Sequence, residues 1–125
     1  MTVLLMALLG GAGAATRFVV DGWFRGRWST RLPFATIVIN TTGSLLLGFL
    51  GGALATGAVG PSVLVVAGTG FCGGYTTFST AMVETVRLAQ AGAYRRAVLN
   101  AFGSLVVTVA AAALGVALAD VLLGR

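Results

Sequence analysis

The stretch Gly70-Phe-Cys-Gly-Gly-Tyr-Thr-Thr-Phe-Ser-Thr80 decides how this chain folds. It lies in the middle of an apolar segment long enough to cross a bilayer. Yet three of its eleven residues are glycine and four are serine or threonine. A lipid-facing helix has no use for that composition. Backbone that leaves helical geometry at membrane depth persists only where protein buries it or where it lines a polar cavity. The stretch therefore predicts a broken helix that binds or conducts a solute.

The rest of the chain supports a membrane setting. Of 125 residues, 58% are hydrophobic and only 9% charged, against about 25% charged in soluble domains. The net charge of +5 comes from eight arginines and no lysine. These arginines fall at the ends of apolar segments, so membrane topology explains them and nucleic acid is not an expected partner. There is no histidine and one cysteine, Cys72. Histidine-based catalysis, a His or multi-Cys metal site and an internal disulfide are excluded, and nothing suggests an enzyme.

A bilayer crossing takes about 20 mostly apolar residues. Four segments qualify: Val3–Val20, Pro33–Thr56, Pro61–Leu88 and Ala97–Leu123. The first has no basic residue before Arg17, so it reads as a retained span rather than a cleaved signal. The connection Asp21–Leu32 holds Trp23, Phe24 and Trp28, as an interfacial belt would. Gly57–Gly60 makes a tight hairpin, and Ala89–Arg96 is short and basic. Arg25, Arg27, Arg31, Arg87, Arg95 and Arg96 then share one side, against Arg125 on the other. By the positive-inside rule both termini face away from the cytoplasm. Glycines in the first, second and fourth spans suit close helix packing and a subunit interface.

Polar residues inside a membrane are costly, and each is a candidate for function. Asn40 offers two N–H donors and an acceptor, for a solute or for an interhelical bond. Asn100, Ser104 and Thr108 recur at four-residue spacing and share a helix face. They form a polar track unless the hydroxyls merely satisfy their own helix. Gly73-Gly74 is the expected point of unwinding. Thr76, Thr77, Ser79 and Thr80 add hydroxyls to it. Phe78 either packs against lipid or turns its electropositive ring edge to an anion. Arg17 either snorkels to the interface or draws anions into a vestibule. Glu84 is placed to pair with Arg87, and Asp120 reads as interfacial.

Taken together, Gly10-Gly-Ala-Gly-Ala-Ala-Thr-Arg-Phe18, Asn40-Thr-Thr-Gly-Ser44 and the Gly70–Thr80 stretch resemble the fluoride channel family, Fluc or CrcB. The resemblance implies an all-α integral membrane fold: four transmembrane helices, the third broken, in an antiparallel dual-topology dimer. It implies passive export of fluoride across the cell membrane. It implies an anion pathway along Asn40, Phe78, Ser79, Thr80, Asn100, Ser104 and Thr108, with Arg17 in a vestibule. It also implies a structural sodium ion (Na+), not transported, held by backbone carbonyls of Gly73 and Thr76 from each subunit.

The chain departs from the family pattern at Ala81, where Thr-Thr-Phe-Ser-Thr is usually followed by phenylalanine. Together with the arginine asymmetry, this raises a choice of partner: a second copy, or an oppositely oriented homologue that supplies the missing ring. Two other readings remain at this stage. One is a small proton-coupled drug or cation exporter using Glu84. The other is a non-conducting scaffold subunit.

Overall fold

The structure, a computed structural model, describes residues 1–28 and 33–124; Arg31 and Arg125 of the charge tally lie outside the described residues. It is helical throughout its elements: α1 (Thr2–Arg27), α2 (Phe34–Ala55), α3 (61–75), α4 (Phe78–Gln90) and α5 (Tyr94–Leu123). Three of these, α1, α2 and α5, are unbroken and long and apolar enough to cross a membrane. The segment expected as the third span is divided into α3 and α4, each shorter than a bilayer crossing requires.

The ends of the helices follow from local chemistry. The sequence places a loop from Asp21, but α1 continues to Arg27. Asp21 and Arg25, one turn apart, are bonded at 2.7 Å, and Arg25 and Arg27 put positive charge at the C-terminal end, where the helix dipole favours it. Trp23, Phe24 and Trp28 pack edge-on or tilted with centroids 5.0–5.2 Å apart. The turn after α2 closes on Gly57 at φ 76°, with Ala58 N–H bonded back to Ala53 O. Gly92 at φ 75° plays the same part after α4, where Ala93 N–H reaches Leu88 O. Both are helix-ending loops that need a left-handed residue. Pro61 opens α3 at its first position, where its missing N–H costs nothing.

Two helix pairs make the frame: α1 lies along α3, and α2 lies along α5. Both contacts are backbone-close. A Cβ on Gly74 would collide with the Gly10 carbonyl, and one on Gly115 with the Leu45 carbonyl. The buried residues are correspondingly small, among them Ala35, Ala53, Cys72, Ala97, Ala111 and Ala119, with Ile39 the largest apolar one. Large side chains such as Phe18, Phe102, Val106 and Leu122 face outward. This is the reverse of a soluble protein and suits a chain whose solvent is lipid.

Two helical stretches are wound as π-helix, Leu64–Cys72 within α3 and Leu99–Gly103 within α5. Each lies just ahead of polar residues singled out in the sequence. The wider winding re-aims the residues that follow, a common accompaniment of functional positions.

Candidate functional site

The third apolar segment unwinds at Thr76 and Thr77, which have extended torsions (φ −77°, ψ 160° and φ −150°, ψ 116°). This corrects the expectation of unwinding at Gly73-Gly74. Gly73 is helical, at φ −63° and ψ −38°, and Gly74 is needed for contact with α1 rather than for flexibility. Threonine is β-branched and favours extended backbone, and the neighbouring helices offer replacement hydrogen bonds.

Those replacements are complete. Thr76 N–H still donates to Cys72 O at 2.9 Å. Thr76 O accepts from Arg17 Nη1 of α1 at 3.1 Å. Asn40 of α2 takes the next peptide unit with both halves of its amide: Oδ1 accepts from Thr77 N–H at 2.7 Å, and Nδ2 donates to Thr77 O at 2.8 Å. All the backbone polar groups of the two unwound residues are therefore satisfied, as buried backbone must be. Thr77 then caps α4, its hydroxyl accepting from Thr80 N–H at 3.3 Å and donating to Thr80 Oγ1 at 3.0 Å.

Two half-helices meet at this point. The carbonyl end of α3 and the N–H end of α4 carry opposite partial charges. Thr77 N–H goes to Asn40, so the Gly73 carbonyl loses the partner it would have in a continuous helix. Gly73 is exposed, and nothing lies within 4 Å of where its side chain would be.

A cavity of about 250 Å³ opens beside the break, among α2, α4 and α5. Asn40, Ser44, Thr76, Thr77, Phe78, Ala81, Ser104 and Thr108 contribute to its wall, and among the described residues no charged side chain does. A second cavity of about 300 Å³ lies on the other side of Thr77, with Arg17, Asp21, Thr36 and Thr80 in its wall. Thr36 is 2% exposed and its hydroxyl has no partner among the described residues.

Of the residues expected along an anion pathway, Asn40, Phe78, Ser104 and Thr108 share the first cavity. Thr80 and Arg17 border the second. Ser79 is exposed and borders neither, its hydroxyl 3.4 Å from that of Thr77. Asn100 also borders neither. It is 2% exposed, and its Nδ2 donates to Thr85 Oγ1 at 2.8 Å and Ala81 O at 3.3 Å of α4. The i, i+4, i+8 register is real, but π-helical winding and this clamp turn Asn100 toward α4. The other hydroxyls bond within α5: Ser104 to the Asn100 carbonyl and Thr108 to the Ser104 carbonyl. Both residues line the cavity, and their hydroxyl protons are given to the helix.

Glu84 pairs with Arg25 at 2.8 Å, not with Arg87 as the spacing suggested. Its Oε2 is buried without a partner among the described residues. Sequence reasoning left several cavity residues off the pathway, the hydroxyl-bearing Ser44, Thr77 and Thr36 among them. Ser44 is one turn beyond Asn40 on the same face, a signal that was available. Thr77 stands inside the opening stretch, but its place between the cavities depends on tertiary structure. No group of His, Cys, Asp or Glu among the described residues could hold a metal ion.

Comparison with known proteins identifies the family. Residues 4–116 match the family model described as CrcB-like protein, Camphor Resistance (CrcB). The chain is 47% identical over 116 residues to "Fluoride-specific ion channel FluC 1" of Leifsonia xyli subsp. xyli, covering 92% of this chain and 84% of that protein. It is 45% identical over 119 residues to "Fluoride-specific ion channel FluC 2" of Cutibacterium acnes, covering 94% and 97%. It is 40% identical over 129 residues to "Fluoride-specific ion channel FluC 1" of Frankia casuarinae, covering 99% and 100%. A broken apolar segment clamped by Asn40, within an all-helical frame of membrane-length helices, thus comes with a match over most of the chain: the protein belongs to the CrcB family.

Proposed function

We propose that this chain is the protomer of a fluoride-selective channel through which cytoplasmic fluoride leaves passively. The observation that carries the reading is the 250 Å³ cavity at the break, walled by an amide, hydroxyls and a phenylalanine, with no charged side chain among the described residues. Fluoride is small and strongly hydrated, and donors must replace its water. Neutral donors and a ring edge do so without the deep trap of a fixed cation, so the ion enters and still leaves. Asn40 keeps one amide proton beyond the one given to Thr77. Ser104 and Thr108 must turn their protons from the helix to the ion, an exchange of one hydrogen bond for another. At about 30 Å³ per water, a cavity of this size holds a hydrated ion. Stripping it requires a further surface from a second chain.

Further features support a dimer of crossing helices. The Arg25–Glu84 pair brings the middle of α4 beside the last turn of α1, as expected if α3 and α4 together make one crossing of four. Phe78 is 77% exposed at the cavity mouth, and Gly11, Gly51, Gly73 and Gly103 face open space. An antiparallel partner covers these surfaces. In the cell membrane, the arginine bias sets both termini of this chain outside the cytoplasm. Because Ala81 lines the cavity where the family carries a second phenylalanine, an oppositely oriented homologue suits it better than a second copy. Sodium fits the same picture: Gly73 O has lost its helical donor, Thr76 O has a second lone pair, and carbonyl oxygens suit a hard cation. Gly73 O and Thr76 O would hold the ion, which would supply positive charge to the carbonyl end of α3 rather than to the donors of the cavity. The exporter reading loses its carboxylate, because Glu84 is committed to Arg25 and borders neither cavity.

The test is fluoride efflux from liposomes carrying this chain with an opposed homologue. Selective fluoride efflux without chloride efflux is expected, and its absence from both the pair and the single species would overturn the reading.

A further inference from the structure

We infer that Arg17 is a positioning residue of the break, whose guanidinium acts on the Thr76 carbonyl rather than on the passing anion. The inference rests on the channel reading and assigns this residue a different task from the vestibule charge expected of it. Three observations carry it. Arg17 Nη1 donates to Thr76 O at 3.1 Å, across a sequence separation of 59 residues. Asp21, one turn on in α1 and in the wall of the same cavity, is the obvious partner for Arg17, but is bonded to Arg25 instead. Lastly, the neighbouring peptide unit is held by Asn40. Consecutive carbonyls, Thr76 O and Thr77 O, are thus gripped by side chains from different helices. A cation on the carbonyl end of α3 is also favoured by the helix dipole.

The consequence is geometric. The peptide that Arg17 fixes is the one from which Thr77 turns to cap α4 and place Phe78 at the cavity. Loss of the bond frees Thr76 O and lets the start of α4 shift. It also leaves the Asn40 clamp to hold the break alone.

Field and positioning roles respond differently to salt. An electrostatic draw on anions is screened at high ionic strength, whereas a hydrogen bond inside the protein is not. Fluoride efflux is measured for the native chain, Arg17→Lys and Arg17→Gln, each reconstituted with the same partner, in impermeant salt. Arg17→Gln is expected to lose about tenfold, the scale of one charged hydrogen bond, and to lose it equally at about 0.01 M and about 0.3 M salt. Arg17→Lys, which retains a charged donor, is expected to recover most of the flux. A deficit in Arg17→Gln that vanishes at high salt, or no deficit, overturns the inference. The carbonyl carbon resonance of isotope-labelled Thr76 supplies a reading independent of flux. It should move in Arg17→Gln and stay near its native position in Arg17→Lys. An unmoved resonance in Arg17→Gln also overturns the inference. If the native chain conducts no fluoride, the channel reading fails, and the Thr76 resonance still decides the role of Arg17.

Discussion

Asn40 meets the Thr77 peptide with a donor and an acceptor at once, at 2.8 and 2.7 Å. Among the other side chains only glutamine offers this N–H donor and carbonyl acceptor on one planar amide. Two substitutions separate its duties. Asn40→Ala leaves the N–H and carbonyl of Thr77, a residue 8% exposed, without partners. Each such loss costs about 1–3 kcal/mol, so a clear drop in unfolding midpoint in detergent is expected along with lost efflux. Asn40→Asp still accepts from Thr77 N–H but cannot donate to Thr77 O, and it sets a negative charge beside the anion cavity. Efflux should be abolished, with the folded protein still recoverable on size exclusion. Preserved flux in Asn40→Asp would remove Asn40 from the pathway. The sequence marked Asn40 because an amide inside an apolar segment is expensive. Its partner was not legible, since nothing local says that residue 40 lies against residue 77.

At the scale of elements, the interrupted third segment was legible and its point of interruption was not. Glycine pairs suggest flexible backbone, but Gly74 is used for contact with Gly10 and the unwinding falls on two threonines. Propensity yields here to what the neighbouring helices can bond. The π-helical turns left no signature in periodicity, because one extra residue shifts a face without changing composition. The packing of α2 on α5 gives a direct test. A methyl group on Gly115 collides with backbone of Leu45 and Phe49 rather than with movable side chains. Gly115→Ala should destabilise the fold by about 1–3 kcal/mol, as overpacking does, measured by denaturant titration in micelles. The polar anchor of α4 is partly sheltered: Arg25 is 55% exposed in its side chain and Glu84 12%. Arg25→Gln leaves that carboxylate unmatched and should cost more than the about 0–1 kcal/mol of a surface pair, while Glu84→Gln leaves fluoride efflux intact if no proton is coupled to transport. Loss of transport in Glu84→Gln, with Asn40→Asp unaffected, would return the exporter reading.

The molecule as a whole is unfinished at its surface. Phe78 and Gly73 are exposed, and the cavity beside the break is wider than a stripped fluoride ion needs. Charge and sequence bear on what completes it. Arg25 and Arg27 close α1, Arg87 closes α4, and Arg95 and Arg96 open α5. The salt bridge from Arg25 to Glu84 puts the first and second of these groups at one end. On the proposed reading this bias sets one orientation, and two copies with the same orientation cannot pair antiparallel. Position 81 makes the same demand in chemical terms. Ala81 is 7% exposed and lines the cavity one turn after Phe78; on the proposed reading a partner's ring occupies the space beside it. The expectation is that the purified chain alone conducts fluoride poorly, that co-reconstitution with an oppositely oriented homologue carrying phenylalanine there raises efflux, and that cysteine-labelling of a terminal tag finds this chain in one orientation only. Ala81→Phe separates the two demands. If only the ring is missing, Ala81→Phe alone gains flux. If orientation is also limiting, it gains nothing until the opposed partner is added. Robust flux from the unmodified single species, with the tag found equally on both sides, would instead establish a dual-topology homodimer and leave Ala81 as a tolerated change.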